Sequence, residues 1–297
     1  MWQTAKMNIH LIDGTYELFR YFFGTPSHIN DEGREVGAVR AVANSMLTMV
    51  QQGATHIGIA TDHVITSFRN ELYDGYKDGS DLDPVILGQF TLLEEVLEAI
   101  GFTVFPMVEY EADDGLGAAA REAIKNPQVK QVIICTPDKD LGQCLTPDEK
   151  IIQYDRRKQE RITYETVIEK FGVSPESIPD YLGLVGDTAD GFPGLKGWGA
   201  KSASTLLAHY QHIEQIPNDC TEWEPQVRSA AKLSQTLNND YDLALLFKLV
   251  ATIDYDAQTF ETVDELEWKG PKDNFSKILE QIDAKRLIDK ITRLAQR

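Results

Sequence analysis

Short apolar runs rich in Ile and Val recur at residues 8–12, 56–61, 102–108 and 131–136. Runs of this length read as strands in the interior of a sheet. Between them, residues 38–51, 89–100 and 112–125 place apolar side chains at helical spacing. Strands alternating with helices imply an α/β core, a central and mainly parallel sheet flanked by helices. From about residue 173 the pattern changes: no further buried strand is evident, and residues 201–209 and 227–237 carry helical spacing. A core over residues 1–172 and a helical domain over 173–297 are expected. No internal repeat or low-complexity tract interrupts either part.

Composition narrows the setting. Hydrophobic residues make up 42% and charged residues 26% of the 297 positions, enough apolar material for a substantial core. No stretch reaches the eighteen or so apolar residues that a membrane-spanning helix needs. The start, MWQTAKMNIHLID, runs one lysine and a short apolar segment straight into the first strand. It lacks the layout of a secretory signal, so a cytoplasmic protein with no membrane association is expected. Cys135, Cys144 and Cys220 have no metal-binding spacing, and their odd number argues against a disulfide framework. They read as reduced packing residues. The net charge of −18 is awkward for a nucleic-acid partner, because Lys and Arg neutralising phosphates supply most non-specific affinity. Acids that serve as metal ligands would remove part of that excess.

The acids fall at particular places. Asp13 and Asp62 end the first and second strands, and Asp138 and Asp140 follow the fourth. In a parallel sheet the carboxyl ends of the strands share one edge, so these four converge by topology. Glu111, Asp113 and Asp114, in EYEADDGLGAAA, follow the third run and open a helix, with Glu111 and Asp114 three apart on one helical face; Asp187 and Asp190, in GDTADGFPG, repeat that spacing. Singly, each acid is explained by helix capping or by the helix dipole. Together, seven or eight carboxylates at one edge repel one another unless cations sit among them. Hard oxygen donors suit Mg²⁺ or Mn²⁺, and the His or Cys ligands expected for zinc are missing from these groups. Two such ions roughly 4 Å apart can activate water and stabilise the leaving oxygen of a phosphodiester.

Cations accompany the acids. Arg69 and Lys77 stand eight residues apart in FRNELYDGYK, where a positive charge can offset charge developing on a scissile phosphate. In GLKGWGAKSAS, Gly197 and Gly199 let backbone amides approach a phosphate closely, ahead of a helix expected to start near Ala200.

These motifs resemble the family of flap endonucleases and bacterial 5′-to-3′ exonucleases, which includes the N-terminal nuclease domain of bacterial DNA polymerase I. LIDG at 11–14, FRNELYDGYK at 68–77, EYEADD at 109–114, TPDKDL at 136–141 and LVGDTADGFPGLKGWGAKSA at 184–203 occur in family order. The resemblance implies a PIN-like nuclease core with a short arch near residues 64–90. It also implies a helical DNA-binding domain with a helix-three-turn-helix element near residues 182–210. Asp13, Asp62, Glu111, Asp113 and Asp114 would then hold or support one metal ion, and Asp138, Asp140, Asp187 and Asp190 a second. Lys77, with Arg69, would stabilise the scissile phosphate. Tyr76 would stack on a base, and Arg69 and Arg20 would contact phosphates. Lys196 and Lys201 would neighbour the duplex backbone beside Gly197 and Gly199, with K⁺ held at the hairpin.

The implied activity is structure-selective hydrolysis of DNA at flaps, nicks or 5′ ends by two metal ions, leaving 5′-phosphates. No polymerase segment follows residue 297, so a free-standing and monomeric nuclease is expected, with a separate DNA polymerase as a partner. Two other readings compete: a DNA-binding protein of this fold with weak or lost catalysis, and a PIN-type ribonuclease. The chain also departs from the family pattern. After Lys77 it reads DGSDLDP, with Ser80 in place of a family Arg, and only Arg69 and Lys77 are basic between residues 64 and 100. A weakly binding arch is expected, since acids oppose a threaded strand. Pro137 stands where the family has Gly, a change that can re-aim Asp138.

Overall fold

The computed structural model describes residues 6–296. Its strands are β1 (Met7–Asp13), β2 (His56–Asp62), β3 (Thr103–Met107), β4 (Val129–Cys135), β5 (Ile151–Asp155) and β6 (Glu160–Ile162). Its α-helices are α1 (Gly14–Gly24), α2 (Gly37–Gln51), α3 (Phe68–Leu72), α4 (Pro84–Leu87), α5 (Phe90–Ala99), α6 (Ala112–Ala123), α7 (Tyr164–Phe171), α8 (Ile178–Val185), α9 (Ala200–Tyr210), α10 (Ala230–Asn239), α11 (Tyr241–Ala251), α12 (Phe275–Gln281) and α13 (Lys285–Ala295). The chain packs as two compact units. The first takes residues up to Ile65, Gly79–Thr136 and everything from Asp254; the second takes Thr66–Asp78 and Pro137–Ile253. Packing therefore divides the chain elsewhere than a linear cut at 172/173.

In the first unit, four strands lie in the order β3-β2-β1-β4, all parallel. Ile9, Leu11, Ile12, Ile57 and Ile59 are fully buried, the near-continuous apolar signature of strands covered on both faces. The register pairs Ile12 with Ile59 and Cys135, Asp13 with Ala60 and Asp62 with Met107. Asp13 and Asp62 thus close neighbouring strands at the same edge. A Cβ on Gly14 would lie 2.7 Å from Thr61 Cγ2 and 2.9 Å from the Ala60 carbonyl, so only glycine lets α1 begin this close to β2. Helices α2 and α5 bury Val39, Val42, Met46, Leu93, Val96 and Leu97, and the C-terminal segment adds Leu279, Ile282, Ile291 and Leu294 to the same core. That segment is anchored by Trp268, whose backbone N–H donates to the Thr55 carbonyl at 2.8 Å and whose indole donates to the Ile100 carbonyl at 2.9 Å.

The second unit carries the antiparallel β5-β6 hairpin, with Gln153 opposite Ile162 and Asp155 opposite Glu160. These strands are too short and too charged at their turn to leave a periodic signal. The rest is helical. The helix expected over 227–237 begins only at Ala230, because Ser229 adopts a left-handed φ of 61°. Phe192 and Phe247 stack at 5.5 Å in its core. Asp180 on α8 is completely buried and accepts from His212 Nδ1 at 2.9 Å, the Ile213 amide at 2.8 Å and Lys248 Nζ at 2.8 Å. Removing the cation from such an arrangement leaves a buried carboxylate under-compensated. Lys248→Met is therefore expected to lower unfolding stability by about 3 kcal/mol, read as an earlier urea midpoint; an unchanged midpoint would contradict it. Among the described residues no helix is long and apolar enough to cross a membrane, and the three cysteines are free.

Candidate active site

In the first unit the strand ends and the start of α6 deliver the carboxylates. Asp13 caps α1: its Oδ1 accepts from the Tyr16 amide at 2.8 Å, and its Oδ2 accepts from Thr136 Oγ1 at 2.9 Å. Both oxygens are thereby aimed. Asp62 is held at both ends, its amide donating to Thr15 Oγ1 at 2.8 Å and its Oδ1 accepting from the Ala112 amide at 2.8 Å. Glu111 is the N-cap of α6, one residue outside the helix, and its amide donates to Asp114 Oδ2 at 3.0 Å. Asp113 lies in the first turn, partly exposed. The partial positive charge at the start of a helix favours this crowd of acids.

Asp114 differs from its neighbours. It is fully buried, and its other oxygen accepts from the Asp254 amide at 2.8 Å. Its carboxylate caps α6 and fixes the start of the C-terminal segment.

In the second unit a tighter group forms. Asp140, Asp187 and Asp190 bring one oxygen each within 4.8 Å of one another. Asp187 and Asp190 owe this to a closed loop: the Asp187 amide donates to the Phe192 carbonyl at 2.8 Å, the Phe192 amide donates back at 3.0 Å, and the Ala189 amide donates to Asp187 Oδ1 at 3.0 Å. Buried Phe192 pins the far end of the loop. Asp140 opens a 3-10 turn (Asp140–Cys144). Its burial, reinforced by Asp138 and Asp190, pushes its carboxyl well above the ordinary carboxylate range. Asp138 stands apart: it is exposed and its Oδ1 accepts from the Asp140 amide at 2.9 Å, outside the close triad. The residue after Pro137 serves the turn that carries Asp140.

Cations meet this triad directly. Lys77 Nζ lies 2.9 Å from Asp190 Oδ1, and the Lys77 amide donates to the Asp190 carbonyl at 3.0 Å. Lys139 was not among the expected site residues, although it stands between two of the acids in TPDKDL. Its ammonium hydrogen-bonds Asp187 and lies 3.5 Å from Asp140 Oδ1. Burial alone would lower its pKa, but Asp140, Asp187 and Asp138 together raise it above the usual lysine value.

Three further residues expected at the site are buried or paired. Arg69 is buried at 3% exposure, donating from Nε to the Val250 carbonyl at 2.8 Å and from Nη2 to the Thr252 carbonyl at 2.9 Å. These bonds tie α3 to the end of α11. Arg69→Ala is expected to cost roughly 2–4 kcal/mol of stability through lost charged hydrogen bonds and orphaned carbonyls, measured by urea unfolding. An unchanged midpoint together with a collapse in turnover would return Arg69 to the phosphate. Tyr76 is also buried, at 5% exposure, because the turn closed by its amide on the Tyr73 carbonyl carries an aromatic ring inward. Its face is not open to a base. Arg20 is half-buried, paired with Glu17, and packs over the Tyr21 ring at 4.1 Å, so only part of its guanidinium remains for a phosphate.

The glycine hairpin follows α8. Lys196, Gly197 and Lys201 are exposed, and α9 begins at Ala200 with Gly199 as its N-cap. Gly197 has φ +88° and open space beyond its Cα. A side chain there would be strained by the left-handed backbone.

The chain has relatives among known proteins. Residues 8–172 match the family model described as 5'-3' exonuclease, N-terminal resolvase-like domain, and residues 173–274 match its C-terminal SAM fold. The chain is 34% identical over 272 residues to DNA polymerase I of Bacillus subtilis (strain 168), covering 90% of this chain but 30% of the polymerase. It is 30% identical over 295 residues to the 5'-3' exonuclease of Aquifex aeolicus (strain VF5), covering 97% of both. In fold it resembles the T5 D15 protein co-crystallised with metal ions, with a TM-score of 0.67, 18% identity, and 96% and 99% of the two chains covered. The two family models together cover residues 8–274, and the Aquifex relative is matched over 97% of both chains; the chain belongs to the 5'-3' exonuclease family.

Proposed function

We propose that this chain hydrolyses DNA phosphodiester bonds at 5′ ends, flaps or nicks, with two divalent ions, leaving 5′-phosphates. The observation that carries the reading is the Asp140–Asp187–Asp190 triad, three hard oxygen donors within 4.8 Å of one another with Lys77 against one of them. This donor set fits Mg²⁺ or Mn²⁺. Asp13, Asp62, Glu111 and Asp113 would hold one ion with Asp114 behind them, and Asp140, Asp187 and Asp190 the other, with Asp138 fixing the turn. Such ions make bound water more acidic and offset charge on phosphate oxygens. The chain's own groups do the rest. Lys77 places an ammonium where a phosphate would bear developing charge. The amides around Gly197 and Gly199, with Lys196, Lys201 and the start of α9, would hold the sugar-phosphate backbone without reading sequence.

Several finer points belong to the same reading. A monomeric, cytoplasmic enzyme with a separate DNA polymerase as partner belongs to the same reading and rests on the family resemblance. K⁺ at the hairpin rests on the family resemblance alone. Product chemistry tests the proposal: after cleavage of a nicked or flapped duplex the downstream strand should carry a 5′-phosphate, so that, once re-annealed flush against an upstream 3′-hydroxyl, DNA ligase joins it without prior phosphorylation. Products that ligase accepts only after kinase treatment would overturn it.

A further inference from the structure

Two lysines sit within the carboxylate group of the second unit, and their tethers differ. Lys77 reaches Asp190 from a separate segment, Thr66–Asp78, through a backbone and a side-chain contact. Lys139 is the N-cap of the 3-10 turn that carries Asp140, and its ammonium touches two of the three carboxylates, Asp187 by a hydrogen bond and Asp140 at 3.5 Å. It lies where a divalent ion would meet those oxygens. Carboxylate lone pairs cannot accept the ammonium and coordinate a dication at the same point, and two cations brought that close repel strongly. An alternative place for the side chain exists. Lys139 also lines a cleft of about 380 Å³ whose walls carry Asp138, Asp155, Glu160 and Glu169 against Lys158 and Lys170.

We infer that Lys139 is a tethered counter-ion of the second metal position: it neutralises Asp140 and Asp187 in the metal-free protein and swings into the adjoining cleft when a divalent ion binds. Metal affinity there is then set by competition with the protein's own ammonium. The inference rests on reading Asp140, Asp187 and Asp190 as metal ligands. By linkage, removing the competitor strengthens metal binding by the same factor that metal weakens the lysine contact.

The test is Mn²⁺ binding to the full chain without DNA, by calorimetry and by the electron paramagnetic resonance signal of free Mn²⁺. Lys139→Met is expected to bind the weaker of two ions about tenfold tighter than the unaltered chain, and Lys139→Arg to stay near the original affinity. Without metal, Lys139→Met should melt below the unaltered chain, and saturating Mn²⁺ should raise its Tm by the larger increment. Should Lys139→Met fail to fold, the neutral Lys139→Gln carries the same titration. Unchanged or weaker Mn²⁺ binding by the neutral variant, with Asp187→Asn having lost that ion, would overturn the counter-ion role alone. Full Mn²⁺ stoichiometry and affinity in Asp187→Asn would instead sink the metal assignment, and the inference with it.

Discussion

Single-turnover hydrolysis of a 5′-flap duplex by Asp187→Ala is expected to run about a thousandfold slower than by the unaltered chain at saturating Mg²⁺. A divalent ion contributes several kcal/mol of charge stabilisation, and roughly 4 kcal/mol corresponds to three powers of ten. Asp187 is held in place beside Asp140 and Asp190 because its loop is closed on Phe192 in both directions. Asp187→Asn separates ligation from loop geometry, since its amide oxygen still accepts from Ala189. The two variants should be similarly slow, and both should still bind the duplex in Ca²⁺. A rate within about tenfold of the original would mean that the carboxylate is not a ligand of a reacting ion.

Lys77→Ala should slow the same single-turnover step by about 10²- to 10³-fold, the usual loss when one preorganised positive group is removed from a developing charge. Its position is fixed by two contacts to one residue, backbone to the Asp190 carbonyl and Nζ to the Asp190 carboxylate. The effect should therefore appear in turnover. Duplex affinity should change little, because one phosphate contact among many alters the salt slope by about one. Equal turnover with a raised KM would reassign Lys77 to ground-state strand binding.

Much of the site was legible in the sequence, for reasons particular to each residue. Asp13 and Asp62 could be placed because an apolar run followed by an acid marks a strand end, and parallel strands end at one edge. Asp187 and Asp190 could be paired because a glycine-rich loop with acids three apart turns both inward. The remaining assignments depend on partners far away in the chain. Asp114 resembles Asp113 until the Asp254 amide is found on its carboxylate. Arg69 reads as a surface cation until the carbonyls of Val250 and Thr252 are found on its guanidinium. Tyr76 is buried by a local turn that leaves no periodic trace. Lys139 was hidden by its neighbours, since a lysine between two aspartates looks like ordinary charge alternation. The segment from Asp254 carries no strand pattern and so reads with the helical domain, while in the fold its apolar residues join the core of the sheet unit.

Acidity reaches beyond the metal groups. The chain carries a net charge of −18, and residues 78–83 add three aspartates next to Lys77. Binding to a flap should start weak and fall steeply with salt, while the chemistry, set by local carboxylates and Lys77, persists once the strand is bound. Cleavage of a 5′-labelled flap duplex under single-turnover conditions, with Mg²⁺, with Mn²⁺ and with excess chelator, tests the central claim most directly. Short 5′ products near the flap junction are predicted with either ion and none with chelator, and single-stranded RNA should be cut more slowly than the flap. Undiminished cleavage under chelation, or cutting of RNA with the flap left intact, would contradict the account.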